Sequence, residues 1–398
     1  MSVLNLLLDD NKWQQFLQEK IEKSHLTKTE EDNLIDFVNG KKYQTIARQI
    51  VNGQYAFSLP TKTLINKSGS TKKRTVYTFK YEEGMILKFL LFTMADYDSC
   101  FCDNLFSFRK NSTVKKAFFS LVNKSDINDM YVYKLDITNY FNSIDIDKLL
   151  PMLKQVIGND DKLYNLIKDI LTQDKSIYEG KVIAEKRGAM AGTTLSTFLA
   201  NVYLMDLDKY FMDKGVIYAR YSDDIIIFAK SLEQIEANKQ YMHGVLKQKG
   251  LDINPDKESL FLPHTAWNFL GFEYCDGVID LSKITLKKIK DKIRRKARAL
   301  YRWKTSKQKS SEDAIKVMLR IFNNKFYREQ NTKSLTWSKW FFPVISTHAS
   351  LKVIDDYLIQ YIRYLQSGKF TKKNYNLTYD DLKQLGFRSL VHEYHKQQ

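Results

Sequence analysis

The sequence is poor in residues that stiffen, punctuate or cross-link a chain: five prolines, fifteen glycines and three cysteines in 398 residues. Cys100, Cys102 and Cys275 are too few and too scattered for a disulfide framework, and they suit a reducing compartment. They also lack zinc-site spacing, and HEYH near the C-terminus sets its two histidines one residue too close for a zinc-protease helix. No apolar run approaches the roughly eighteen residues of a membrane span, so no membrane partner is expected. The stretch MSVLNLLLDD has no basic residues and meets acid at once, which argues against a secretory signal and for a cytoplasmic protein.

Acid is scarce in one region only. Residues 281–398 carry 27 Lys and Arg against 9 Asp and Glu, whereas residues 1–280 carry 36 against 37. The net charge of +17 is therefore confined to the last third, the pattern of a globular body joined to a polyanion-binding module. That third contains apolar clusters such as Trp337–Ile345, so it is expected to fold rather than to serve as a solubilising tail. A chain this long can hold two or three domains. The expected divisions are a helical segment over 1–54, a mixed body over 55–280 and a basic helical region over 281–398.

Apolar periodicity predicts helices in KWQQFLQEKIEK and EEDNLIDFVNG, two strands around a turn between Phe57 and Phe79, and a helix over Glu82–Met94. A strand follows at Tyr131–Ile137, then helices at Asp147–Ile157 and Asp161–Leu171. TTLSTFLANVYLMDLDKYF reads as one long amphipathic helix with Leu195, Phe198 and Val202 on one face. After it, VIYARYSDDIIIFAK reads as two strands joined by a tight turn at Asp223 and Asp224. A helix over Leu232–Lys249 and short strands through FLGFEY complete the body. The fold class is α+β, strands and helices alternating around a mixed or antiparallel sheet, with a helical C-terminal region.

Singly, Asp136 at the end of YVYKLD would read as a helix cap, and the Asp223–Asp224 pair as ordinary turn residues. Together they are two apolar strands that each end in carboxylate, a cluster of like charge that is costly unless cations neutralise it. A few hard oxygen ligands are what Mg²⁺ uses when it also holds phosphate oxygens. Two such ions can activate an attacking 3′-hydroxyl and steady a leaving pyrophosphate.

YSDD resembles the YxDD signature of reverse transcriptases, and Asp136 with Phe141 matches that family's D-x-x-x-x-[FY] element. GAMAGTTLSTFLANVYL resembles the family's "PQG…LSP…NxYL" segment, LDINPDKESLF its "LNPxKT" element, and FLGFEY its primer grip. Upstream, SGSTKKRTVYTF and FSFRKNSTVKKAF resemble fingers motifs of bacterial enzymes related to group II introns and retrons. The motifs fall in the family's order over about residues 55–275. The resemblance implies a right-hand polymerase with fingers, palm and helical thumb, copying RNA into DNA from dNTPs with two Mg²⁺ ions, or Mn²⁺ in their place.

Carried over residue by residue, Asp136, Asp223 and the Ile137 carbonyl would hold metal, with Asp224 completing the acidic cluster. Lys257 would protonate the pyrophosphate, or else is a plain surface lysine. Lys72 and Arg74 would grip the triphosphate, or else form a solvated basic turn. Phe141 would exclude a 2′-hydroxyl, or else is a core ring, and Ala191 and Gly192 would lie beside the nucleotide. Arg109 and Lys110 would contact nucleic acid.

Ala191 stands where the family has glutamine, and Thr194 and Thr197 stand where it has proline, so strict template-directed copying is in question. A template-independent or protein-primed transferase is one alternative, and a non-catalytic RNA-binding protein is another. The sequence has no VTG-type tail element of retrons, no "GN" or "SQ" of diversity-generating enzymes, and no intron maturation or HNH motif. What remains resembles standalone bacterial enzymes of abortive infection and other anti-phage defence.

In KKIKDKIRRKARALYRWKTSKQK, Ile289, Ile293, Ala297 and Tyr301 recur every fourth residue as an apolar stripe, and the other faces are nearly all basic. This helix stands where the family's thumb would be. Arg294, Arg295, Lys296 and Arg298 would bind duplex phosphates without reading sequence. Arg302 and Trp303 would add stacking on an unpaired base. The expected partners are template RNA, including a dedicated non-coding RNA, and DNA product. The extension beyond residue 310 is open to a protein partner or a second copy of the chain.

Overall fold

The computed structural model describes residues 2–24, 26–66, 73–110, 112–327 and 336–397. The chain forms two compact units, 1–265 and 266–398. No helix among the described residues is long and apolar enough to cross a membrane.

Two sheets organise the first unit. Strands β1 (Thr61–Asn66) and β2 (Lys73–Thr78) form an antiparallel hairpin, so the strands expected between Phe57 and Phe79 are present. Strand β3 (Tyr131–Asp136) belongs to the other sheet. Strands β4 (Lys175–Tyr178) and β5 (Lys181–Ala184) form a hairpin absent from the sequence expectations, and it extends the first sheet to the order β2-β1-β4-β5. Its signal was present in Ile-Tyr-Glu-Gly-Lys-Val-Ile: Glu179 and Gly180 both take positive φ, 50° and 77°, as a two-residue turn of type I′ requires.

The second sheet carries the aspartates. Strands β6 (Tyr218–Tyr221), β7 (Asp224–Ala229) and β8 (Ser259–Phe261) join β3 in the order β6-β7-β3-β8, antiparallel throughout. Residues Ile225–Ala229 are all buried, which is why IIIFA has no polar alternation.

The segment over 1–54 is no separate domain. Trp13, from the helix Asp10–Lys23, stacks between Tyr43 and Phe89 at 4.2 and 3.9 Å and donates its indole N–H to the Leu7 carbonyl. One hydrophobic core runs from Leu4 to Leu251. The long helix expected after RGAMAG is two helices, Leu195–Tyr203 and Met205–Asp213. Leu204 breaks it at φ −116° and ψ 14°, and burial of Leu204 and Leu207 compensates for the lost helical continuity.

The second unit begins at Ala266 and not at 281. Strands β9 (Trp267–Phe269), β10 (Phe272–Cys275) and β11 (Val278–Leu281) form a three-stranded antiparallel sheet. It is tied to the basic region: Ser282 N–H and the Thr285 hydroxyl both donate to the Gly271 carbonyl, at 2.9 Å each. FLGFEY therefore folds with the tail. The basic helix spans Lys283–Ser306 and buries Ile289, Ile293, Ala297 and Leu300. Leu300 replaces the expected Tyr301 because four residues advance an α-helix by slightly more than one turn, so the stripe drifts to an i+3 step. Helices Ser311–Phe326 and Ala349–Ser367 pack against it.

Candidate active site

Pairing of β3 with β7 sets Asp136 directly opposite Asp224. The Ile137 N–H donates to the Asp223 carbonyl at 3.1 Å, so the end of β3 and the hairpin tip are bonded as one unit. The turn between β6 and β7 has two residues, and Ser222, its first, takes φ +62°. That value is uncommon for a residue with a side chain and costs on the order of 1–3 kcal/mol. The compensation is visible. Ser222 N–H donates to the buried Ser107 hydroxyl at 2.9 Å, and the Asn201 amide donates to the Ser107 carbonyl at 2.9 Å. Ser107 lies in FSFRK and Asn201 in NVYL, so three motifs far apart in sequence meet at one turn.

A second anchor lies just before the turn. The Arg220 guanidinium is fully buried and pairs with both carboxylate oxygens of Asp208, with Nε to Oδ1 at 2.7 Å. Tyr218 donates its hydroxyl to the same carboxylate at 2.8 Å. Arg220 also joins the segment before FSFRK through Asn104 and Phe106 main-chain bonds at 3.0 and 2.9 Å.

Lys257 reaches the acidic cluster from the NPDK turn. The Asn254 side chain accepts the Asp256 N–H, while the Asn254 N–H donates to the Asp136 carbonyl at 2.8 Å. This geometry carries the Lys257 ammonium to 2.6 Å from Asp136 Oδ2. Burial works against the Lys257 charge, but the Asp136 carboxylate outweighs it and raises the pKa. Burial raises the Asp223 pKa, and the Asp136 charge adds to it. Burial pushes Asp224 up to about 6; Lys134 opposes the shift, and Asp223 and Asp136 add to it. These acidic groups resist ionising in this site.

Among the described residues no group of three or more His, Cys, Asp or Glu side chains is placed to hold a metal ion. The donor type is nonetheless the one a hard cation takes: Asp136, Asp223 and Asp224 bring carboxylate oxygens to adjoining strand ends, and the Lys257 ammonium sits on Asp136 as a stand-in cation.

The RGAMAG turn forms a second cluster. Gly192 takes φ +101°, and a Cβ there would come within 3.0 Å of the Tyr77 carbonyl and 3.1 Å of Val76 Cβ, on β2. Gly188 lies against Phe141 and Asn142, where a Cβ would meet main-chain atoms at 2.6–2.7 Å. Ala191 is buried, its N–H donates to Asn142 Oδ1 at 2.8 Å, and its carbonyl accepts the Tyr77 N–H at 2.7 Å. Phe141 is half-buried with the Phe108 ring 6.1 Å away. Arg74 is exposed on β2, two residues before Val76, and Lys72 lies outside the described residues.

Arg109, expected on a nucleic-acid surface, is instead spent on its own loop. Its guanidinium bonds Asp98 and the carbonyls of Cys102, Leu105 and Asp98 at 2.7–3.3 Å. That satisfies a buried loop backbone, which is a structural task. Lys110 is exposed. In the second unit Arg294, Arg295, Arg298 and Arg302 are exposed, while Lys296 and Trp303 are half-buried. Sequence reasoning did not single out Ser107, Asn142, Asn201, Asp208, Arg220 or Asn254. Arg220 alone had a signal, a charge inside an apolar strand, which demands a buried partner.

Residues 65–274 match the family model described as reverse transcriptase (RNA-dependent DNA polymerase). Two curated relatives are retron reverse transcriptases of Escherichia coli. The retron Ec86 enzyme is 27% identical over 39% of this chain and 48% of its own length. The retron Ec48 enzyme is 25% identical over 38% of this chain and 35% of its own length. This chain thus spans half or less of the curated relatives it matches, and both are of the retron class that the missing VTG element had argued against. Among solved structures, a C-terminally truncated apo telomerase from Candida tropicalis aligns with TM-score 0.45 and 13% identity, covering 57% of this chain and 55% of that one. A telomerase from Candida albicans in complex with a fragment of telomeric RNA aligns with TM-score 0.45 and 12% identity, covering 90% and 70%.

Proposed function

Because this chain belongs to the reverse transcriptase family, we propose that it is an RNA-directed DNA polymerase whose chemistry resides at Asp136, Asp223 and Asp224. The observation that carries this reading is the junction of β3 with the Ser222–Asp223 turn, where the buried Asp136 and the half-buried Asp223 and Asp224 are held at adjoining strand ends with one lysine as counter-ion. Two Mg²⁺ ions bound there would supply Lewis-acid activation of a 3′-hydroxyl and charge neutralisation at the leaving pyrophosphate. Asp136 and Asp223 would hold the ions, Asp224 would add charge, and the Ile137 carbonyl would supply a further oxygen. Lys257 exchanges Asp136 for the pyrophosphate oxygens and delivers a proton there. Arg74 and Lys72 bind the triphosphate, and Gly192 lets the nucleotide approach the backbone beside β2.

The direct test supplies a defined RNA template, a DNA primer and all four dNTPs, with and without divalent cation. Cation-dependent extension copying the RNA is expected; its absence over a range of templates would overturn the reading. A second reading has support from Ala191. Its methyl group can make no hydrogen bond where the family has an amide, and one such bond is worth about 0.5–1.5 kcal/mol. Templated synthesis should then survive but discriminate less. In a reaction with no added template, before and after RNase treatment, low-complexity product is expected; long faithful copies of added RNA alone would remove this second reading.

Phe141 acts as the sugar gate. Phe141→Ala is expected to raise ribonucleotide use by about tenfold or more relative to dNTPs. Equal discrimination in both proteins would make Phe141 a core residue.

The helix Lys283–Ser306 binds the duplex backbone. Glutamine at Arg294, Arg295, Lys296 and Arg298 should weaken duplex binding evenly across sequences. The slope of log affinity against log salt should flatten by about 0.9 per lost contact on B-form DNA and less on other forms. We place this activity in anti-phage defence, on the resemblance to standalone abortive-infection enzymes. Plaque counts on cells expressing the wild type and an Asp223→Asn/Asp224→Asn variant test it, with protection expected only from the wild type.

A further inference from the structure

The second unit holds a groove of about 560 Å³ that the polymerase reading does not use. One wall is a single face of the helix Ala349–Ser367, presenting Val353, Asp356, Tyr357, Gln360 and Arg363 at helical spacing. The other wall is Tyr375 and Tyr379. Both tyrosines are among the large residues left exposed, at 65% and 42%. The Arg363 guanidinium lies over the Tyr375 ring at 4.6 Å and its Nε donates to the Leu377 carbonyl at 3.1 Å, so ring and cation are held as a flat platform. Phe370 is also exposed, at 55%, and Lys369, Lys372 and Lys373 stand in solvent between the aromatic residues. At the other end the Lys290 ammonium, on the basic helix, sits 5.3 Å over the Tyr357 ring. The groove therefore opens onto the cationic surface of that helix.

We propose that this groove binds a single-stranded polynucleotide, with unpaired bases stacked on Tyr375 and Tyr379 and the backbone led in along Lys290, Lys372 and Lys373. Exposed rings interleaved with cations are what sequence-tolerant single-strand binding needs, because every base has a π-face and every linkage a negative charge. The volume lies within the range that small-molecule pockets use. A duplex cannot enter such a site, since its bases are already stacked on one another. Asp356 would repel a phosphate at its own position. A carboxylate there instead suits an exocyclic amine at a base edge, as Gln360 suits a base amide. The site adjoins the basic helix at Lys290 and would hold an unpaired stretch flanking the duplex.

The test uses the full chain carrying Asp223→Asn and Asp224→Asn, so that binding is read without extension and independently of the polymerase reading. Fluorescein-labelled unstructured twelve-nucleotide RNA, the matching DNA and a blunt duplex are titrated by anisotropy at constant salt. Adding Tyr375→Ala with Tyr379→Ala should weaken single-strand binding by about thirtyfold, taking about fivefold or more for each ring. Duplex affinity should stay within about twofold. Tyr375→Phe with Tyr379→Phe, which keeps the rings, should retain single-strand affinity. The RNA and DNA arms identify which strand the groove holds. In the protein with its groove unaltered, ultraviolet cross-linking and mass spectrometry should place an adduct on Tyr375 or Tyr379. Unchanged single-strand affinity in the alanine variant, an equal loss for duplex, adducts only elsewhere, or a photo-cross-linker at 375 that captures protein and no nucleic acid would each overturn the proposal.

Discussion

Asparagine at both Asp223 and Asp224 is expected to abolish dNTP incorporation while making the metal-free protein more stable. On the activity side, bound metal is worth several kcal/mol of transition-state stabilisation. At about 1.36 kcal/mol per tenfold, loss of two carboxylates costs on the order of a thousandfold or more. On the stability side, both pKa values are raised in the fold, Asp224 to about 6 from an ordinary 3.8. The folded chain then holds protons that the unfolded chain releases, and its stability falls as pH rises from about 4 through about 6. Asparagine resembles the protonated aspartate and does not suffer that loss. Melting in a chelator should show the variant above the wild type at pH 7, with the gap closing at pH 4. Adding Mg²⁺ should raise the wild-type melting point and leave the variant unmoved. A variant that polymerises normally, or a wild type that grows more stable from pH 4 to 7, would refute the charge argument.

The second large effect is expected at a residue that touches no substrate. Asp208→Ala leaves the Arg220 guanidinium fully buried without its carboxylate. Breaking a buried pair in this way costs about 3–5 kcal/mol, because the remaining charge stays desolvated. Tyr218 also loses its acceptor, and β6 leads directly into Ser222. The urea midpoint of the first unit should drop accordingly, and hydrogen exchange at β6 and β7 amides should accelerate most. Replacing both partners with apolar residues, Asp208→Leu with Arg220→Met, should recover most of the stability. If Asp208→Ala costs less than about 1 kcal/mol, the pair is not what holds the hairpin.

Much of the candidate site was legible in the sequence because its pattern is local. Ser222–Asp223 is a two-residue turn between strong strand formers, and β3 is a six-residue strand, apolar but for Lys134, that ends in Asp136; each pattern closes within one element. Lys257 was legible for the same reason, since Asn-Pro-Asp-Lys is a turn that aims its last residue. Arg109 was misread because a basic loop residue looks the same from sequence whether its guanidinium meets phosphate or its own carbonyls. The second hairpin at β4 and β5 was missed although Glu-Gly marks its turn, because its strands are short and only pairing with β1 gives them a sheet to join.

The sequence by itself determined the local elements, the charge division between body and tail, and the acidic residues at the ends of β3 and β7. Backbone propensity, apolar period and charge count act within a few residues and do not need the rest of the chain. Only the tertiary structure decided that Asp136 lies opposite Asp224, that Lys257 sits on Asp136, and that Ser107, Asn201 and Asp208 hold the hairpin. It also decided that FLGFEY belongs with the basic region. Those outcomes depend on strand register and on buried polar partners many residues apart. A side chain can be buried against any complementary group, and packing of the whole unit selects which one it meets.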